Sequence, residues 1–143
     1  KKTVETVRSH LNRCVCDSPW EAAVAEQLNA SPHVEAWVKN DRLGFEIGYI
    51  HRGVPRKYRP DFLVRLSNGK MLILEVKGEA GVGPELRAQQ AAAREWVQAV
   101  NGHGAFGEWA FATAWSPYAV NLLLESQVRQ SGRKASGAEP NAV

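Results

Sequence analysis

Tyr58-Arg59-Pro60-Asp61-Phe62-Leu63-Val64-Arg65-Leu66 runs through Ser67-Asn68-Gly69-Lys70 into Met71-Leu72-Ile73-Leu74-Glu75-Val76-Lys77-Gly78. Phe62, Val64 and Leu66 alternate with Asp61, Leu63 and Arg65, the period of a strand with two distinct faces. Met71 to Leu74 is continuously apolar, as expected of a central strand covered on both sides. Two acids and a lysine, Asp61, Glu75 and Lys77, stand at the ends of these apolar runs, where a purely structural strand rarely carries them.

Whether Asp61 meets Glu75 is a question of register, because a slip of one residue sends every side chain to the other face. A two-residue Asn68-Gly69 turn would pair Ser67 with Lys70 and Asp61 with Val76, pointing the aspartate away from Glu75 and Lys77. A three-residue Ser67-Asn68-Gly69 loop, with Gly69 left-handed, pairs Leu66 with Lys70 and sets Asp61 opposite Glu75. Lys77 then shares their face. This second register, or a bulge near Pro60 with the same effect, is the prediction.

Outward from that hairpin, Ser18-Pro19-Trp20-Glu21 carries a capping residue, a proline at the first helical position and a glutamate three after the cap. It predicts a helix to about Asn29 with Trp20, Ala23, Val24 and Leu28 as its apolar stripe. Ser31-Pro32 repeats the start signal, and Val34, Trp37 and Val38 follow at helical spacing, predicting a second, shorter helix. Phe45 to Ile50 reads as a first strand, ended by Gly53-Val54-Pro55. After a glycine-rich loop over 78–83, Pro84 to Val100 reads as a helix turning Leu86, Ala93, Trp96, Val97 and Val100 inward and closed by Asn101-Gly102. Trp109 to Trp115 makes a strand, and Ser116-Pro117 opens a last helix bearing Val120, Leu122, Leu123 and Leu124. The predicted class is α/β (α+β mixed sheet): an αβββαβ core with a four-stranded mixed sheet flanked by helices. Its first three strands form an antiparallel meander, and a right-handed crossover brings the fourth in parallel.

The chain has 143 residues, 44% of them apolar, enough for one core, and no run long enough to cross a membrane. One domain is expected over 1–128, with a disordered tail over 129–143 rich in Gly, Ser, Ala and charge. The start at Lys1-Lys2-Thr3, with no initiator methionine and no signal-peptide pattern, reads as a domain of a larger cytoplasmic protein. Cys14 and Cys16 are too close for a disulfide framework and too few for a zinc site, so reduced thiols are expected; His10 and Asp17 would complete a metal site only by coincidence. A net charge of +3 matters only where it clusters. His51, Arg52, Arg56, Lys57 and Arg59 do cluster, immediately before Asp61, and could grip phosphates, although a solvated turn is the plainer alternative. No base-reading motif is present.

Two carboxylates converging at one strand end are a hard-oxygen site suited to a magnesium ion that keeps several waters. Such an ion neutralises a scissile phosphate and lowers the pKa of a bound water, while Lys77 would orient that water and stabilise the added charge of the transition state. A cross-strand salt bridge at a sheet end is the plain alternative.

The spacing Asp61…Glu75-Val76-Lys77, on this order of elements, resembles the PD-(D/E)XK restriction-endonuclease-like superfamily. That resemblance implies Asp61, Glu75 and Lys77 as the catalytic set. It also implies Asp61, Glu75 and the backbone carbonyl of Val76 as ligands of Mg2+, for which Mn2+ would substitute. Many members carry a glutamate on the first core helix that reaches the metal, a role open to Glu21, which as a capping-box residue would instead bond back to Ser18. Gln90, like Gln89, falls where relatives carry a polar helper, but an exposed helix face leaves such residues merely solvated. Beyond the motif, Glu75-Val76-Lys77-Gly78, Ala91-Ala92-Ala93-Arg94-Glu95-Trp96-Val97-Gln98-Ala99-Val100-Asn101 and Gly107-Glu108-Trp109-Ala110-Phe111 are similar to the C-terminal endonuclease domain of type III restriction enzymes, over about Ser18 to Trp115. The implied activity is metal-dependent DNA cleavage, with a helicase-like ATPase region of the same parent chain and a methylation subunit as partners and a homodimer as one assembly. No Walker motif lies in this chain. The rivals are a repair, junction-resolving or transposon-end nuclease of the same fold, and a non-catalytic nucleic-acid-binding or interaction module.

Overall fold

A computed structural model describes residues 2–5, 13–16, 19–41, 43–78 and 83–130. The expectations for His10, Asp17, the Ser18 cap, the centre of the 78–83 loop and the tail from 131 onward lie outside the described residues. Of Cys14 and Cys16 only the backbone is described. They sit in β2 (Arg13–Cys16), which pairs antiparallel with β1 (Lys2–Glu5), a hairpin for which no expectation was drawn.

Helix α1 (Pro19–Ala30) begins where Pro19 fixes the first turn and Glu21 complements its positive end. It buries Ala22, Val24, Ala25 and Leu28. The stripe is therefore rotated from the expected one, and Trp20 is 43% exposed. The predicted second helix is a strand, β3 (Val34–Lys39). Ser31-Pro32-His33 is a turn, in which Ser31 Oγ accepts the His33 N–H at 3.1 Å and the Ser31 carbonyl accepts Val34 N–H at 3.3 Å. The helical spacing of Val34 and Trp37 arises from a register shift between Val34 and Ala36, a bulge that puts residues three apart on one sheet face.

A second correction concerns the predicted first strand. Its residues become β4 (Ile47–His51), which pairs only with β5 (Val54–Tyr58) in a separate two-stranded sheet. The Arg52-Gly53 tip turns with both residues at positive φ, +52° and +76°, as a two-residue hairpin turn demands. Pro55 is tolerated because β5 is an edge strand whose residues before Tyr58 are exposed.

The main sheet has the order β3-β6-β7-β8, with β6 (Phe62–Leu66), β7 (Met71–Val76) and β8 (Trp109–Ala114). Strands β3, β6 and β7 run antiparallel in turn, and β8 lies parallel to β7 across α2 (Pro84–His103). The αβββαβ order is thus present with β3 as its first strand and the β4–β5 hairpin inserted before the second. Helix α2 ends at Gly104 in the left-handed conformation rather than at Asn101-Gly102. A short 3-10 turn over Pro117–Ala119 leads into α3 (Val120–Gln130), which buries Val120 and Leu124 but leaves Leu122 72% exposed and takes residues 129 and 130 out of the expected tail.

Helices cover both faces of the sheet. Phe62, Val64, Leu66, Leu72 and Leu74 pack with α1 and α3, and Trp37 meets Phe62 edge-on at 5.9 Å. Leu63, Ile73 and Phe111 point the other way, into α2 and the buried residues Ile47, Tyr49 and Tyr58 of the inserted hairpin. The architecture is mixed α/β, with a four-stranded mixed sheet flanked by helices. Among the described residues no helix is long and apolar enough to cross a membrane.

Candidate functional site

The β6–β7 register is the one that the three-residue turn requires. Phe62 pairs with Leu74 and Arg65 with Met71, and Leu66 N–H reaches the Lys70 carbonyl at 2.8 Å. Gly69 sits at φ +87° and donates its N–H to Leu66. One step beyond Phe62–Leu74, Asp61 stands opposite Glu75, on the face shared by Leu63 and Ile73. Glu75 in turn lies beside Thr113 of the parallel strand.

Each carboxylate has one oxygen fixed. Asp61 Oδ2 accepts the backbone N–H of Val76 at 2.9 Å, and Glu75 Oε2 accepts a short hydrogen bond from the Tyr58 hydroxyl. Asn40 steadies the approach to Asp61. Its N–H donates to the Asp61 carbonyl at 2.8 Å, and its side-chain amide donates to the Pro60 carbonyl at 3.0 Å and the Phe45 carbonyl at 2.8 Å.

Glu75 is 2% exposed. Burial, followed by its hydrogen bond to Asp61 and that residue's charge, pushes the carboxyl up to about 9, against the opposing pull of the Tyr58 hydroxyl and of Lys77. At neutral pH the Glu75 carboxyl is therefore held in its protonated form. The Tyr58 hydroxyl is raised far above the ordinary phenol range by burial and by the charge of Glu75. Lys77 is anchored by its own N–H to the Ala114 carbonyl at 2.9 Å. Among the described residues its ammonium makes no ion pair.

The remaining predicted residues divide. Gln90 donates to Thr113 Oγ1 at 3.2 Å, next to Glu75 rather than merely solvated, whereas Gln89 donates to the Tyr49 hydroxyl at 3.2 Å. Glu21 lies 3.4 Å from the buried Lys39 ammonium, which also bonds Asp41 at 3.0 Å. The basic cluster is carried by the hairpin and not by a loop, with Arg52 at its tip. Arg56 pairs with Glu85 at 3.4 Å, and Lys57 and Arg59 pair with the half-buried Glu46 at 3.7 and 3.0 Å, with all three cations exposed. Such pairs contribute little stability, so the cations exchange readily onto a stronger anion.

Tyr58, Asn40 and Thr113 are the residues to which sequence reasoning gave no role. Tyr58 stood inside the decisive stretch, but a tyrosine there carries no sign of a bond to an acid 17 residues away.

The two carboxyls suit a hard divalent cation. The two acids face each other with one oxygen on each already held in place, so a cation taking the place of the Glu75 proton would meet two oriented carboxylates. Among the described residues no group of three or more His, Cys, Asp and Glu is placed to hold a metal, so any ion here would keep most of its ligands as water or substrate oxygen.

No family model, curated protein or solved structure matches this chain.

Proposed function

We propose that the chain is a magnesium-dependent DNA endonuclease domain of the restriction-endonuclease-like, PD-(D/E)XK type, similar in character to the nuclease domain of type III restriction enzymes. One observation carries the reading: the β6–β7 register sets Asp61 opposite Glu75 within hydrogen-bonding reach, with Lys77 next along the same face.

Asp61 and Glu75 would hold the ion, with the Val76 carbonyl as a further oxygen at the same strand end and Glu21 as a supporting candidate. When bound, magnesium supplies charge neutralisation at the scissile phosphate and a water of lowered pKa. Lys77, whose ammonium makes no ion pair among the described residues, orients the attacking water and balances the negative charge that grows on the phosphoryl oxygens. Water adds to phosphorus, the bond to the leaving sugar oxygen breaks, one proton of the water passes to solvent, and the leaving oxygen takes one up from solvent to become the sugar hydroxyl. Gln90, which donates to Thr113 beside Glu75, would hydrogen-bond a phosphate or water there. Arg52, Arg56, Lys57 and Arg59 would hold flanking phosphates, exchanging Glu46 and Glu85 for the DNA backbone. A helicase-like ATPase region of the parent chain, a methylation subunit and a second copy of this domain are the proposed partners.

Supercoiled plasmid incubated with the protein and Mg2+ should be nicked or linearised, Mn2+ should substitute, and a chelator should stop the reaction. A parallel panel of linear, branched and hairpin-ended DNA separates a restriction-type cutter from a junction or transposon-end nuclease. Cleavage that persisted undiminished in chelator would contradict the metal-dependent reading.

A further inference from the structure

The inserted β4–β5 hairpin is docked against the rest of the molecule at two points. One is at α2, where Glu85 accepts from the Tyr49 hydroxyl at 2.7 Å and Gln89 donates to that same hydroxyl at 3.2 Å. The other is at the candidate site itself, where Tyr58 closes β5 and reaches Glu75. Tyr58 is 4% exposed and Glu75 2%, so the hydrogen bond between them is shielded from solvent. Ile47, paired with Tyr58 across the hairpin, is buried beside it.

We propose that Tyr58 is a positioning residue for the cation site: its hydroxyl ties down Glu75 Oε2, fixing the rotamer that turns the other carboxylate oxygen toward Asp61. The proposal rests on the reading of Asp61 and Glu75 as cation ligands. A glutamate side chain has three rotatable bonds, and its free oxygen is useful to a cation only in the orientation that faces the second acid. The Val76 amide does this for Asp61, and Tyr58 does it for Glu75, each from a different strand. Partners of this kind commonly alter metal affinity by about 10- to 100-fold when removed. Because the tyrosine belongs to the hairpin that carries Arg52, Arg56 and Lys57, the element that would seat DNA is also the element that orients the ligand.

Mn2+ titration by calorimetry tests this with four proteins. Wild type should bind one ion, Tyr58→Phe should bind about 10-fold more weakly or worse, and Asp61→Ala should show no saturable binding. Tyr49→Phe loosens the hairpin at α2 but leaves the Tyr58 hydroxyl in place, and should titrate like wild type. If Tyr58→Phe binds as tightly as wild type while Asp61→Ala does not bind, the positioning role is wrong and the site reading survives. If Tyr49→Phe weakens binding as much as Tyr58→Phe, the hydroxyl has no specific role and the proposal is likewise overturned. Equal binding by Asp61→Ala would remove the site and the proposal together. Should Tyr58→Phe not fold, the wild-type protein still decides the matter: Mn2+ should produce a tyrosine difference absorption, and its absence would count against the proposal.

Discussion

Lys77→Ala is expected to slow Mg2+-dependent DNA cleavage by about 100- to 1,000-fold, the usual loss when one preorganised charge or donor facing the transition state is removed. The lysine is held in place by its backbone bond to Ala114 rather than by its ammonium, so the fold should survive the substitution. Its charge favours the ionised form of Glu75, but the ammonium itself has no ion-pair partner among the described residues. Mn2+ binding should therefore persist in the variant while turnover collapses. Lys77→Arg should recover little, because a planar guanidinium cannot occupy the position of a compact ammonium on a flexible stem. Single-turnover cleavage read beside Mn2+ calorimetry separates these effects, and undiminished cleavage by Lys77→Ala would refute its role.

Glu75→Gln should make the protein more stable at neutral pH while abolishing cleavage. Unfolded, Glu75 ionises near 4.5, whereas the folded carboxyl keeps its proton up to about 9. Between those values the native state holds more protons than the unfolded one, so stability falls as pH rises from 4.5 and levels off above 9. At pH 7 the loss attributable to this group is on the order of 3 kcal/mol. Glutamine has nearly the same shape, accepts from Tyr58, donates to Asp61 and never ionises. Thermal melts should show the variant several degrees above wild type at pH 7, with the gap closing toward pH 4.5 and widening toward pH 9. Saturating Mn2+ should narrow the gap by stabilising wild type alone. A gap that did not vary with pH would show that Glu75 carries no buried-charge cost.

The first strand of the hairpin bearing the acids was legible because the alternation of Phe62, Val64 and Leu66 fixes a buried face. Its register was chosen because, of the two turns that Asn68-Gly69 allows, only the three-residue loop sets Asp61 opposite Glu75, and Gly69 but not Asn68 stands at positive φ. Strand β3 was not legible, because its bulge places Val34 and Trp37 on one face three residues apart and so mimics a helix. The β4–β5 hairpin was missed for a different reason. Gly53 and Pro55 look like breakers, yet one supplies a tight turn and the other lies on an edge strand that needs no inward N–H there. With these two errors corrected, the αβββαβ core order is kept with β3 as its first strand, while the expected second helix is lost and the β4–β5 hairpin is added. Tyr58 escaped notice because its role depends on the inserted hairpin folding back onto β7, a long-range contact that periodicity does not encode.

The proposed chemistry rests on a single arrangement, in which Asp61 and Glu75 together would form a divalent-cation site. Calorimetric titration of Mn2+ into wild type and Asp61→Ala near neutral pH, in two buffers of different ionisation enthalpy, tests it most directly. One ion bound by wild type with release of about one proton, as the cation displaces the one that Glu75 holds, and no saturable binding by Asp61→Ala, is the predicted result; the same affinity and proton release in both proteins would contradict it.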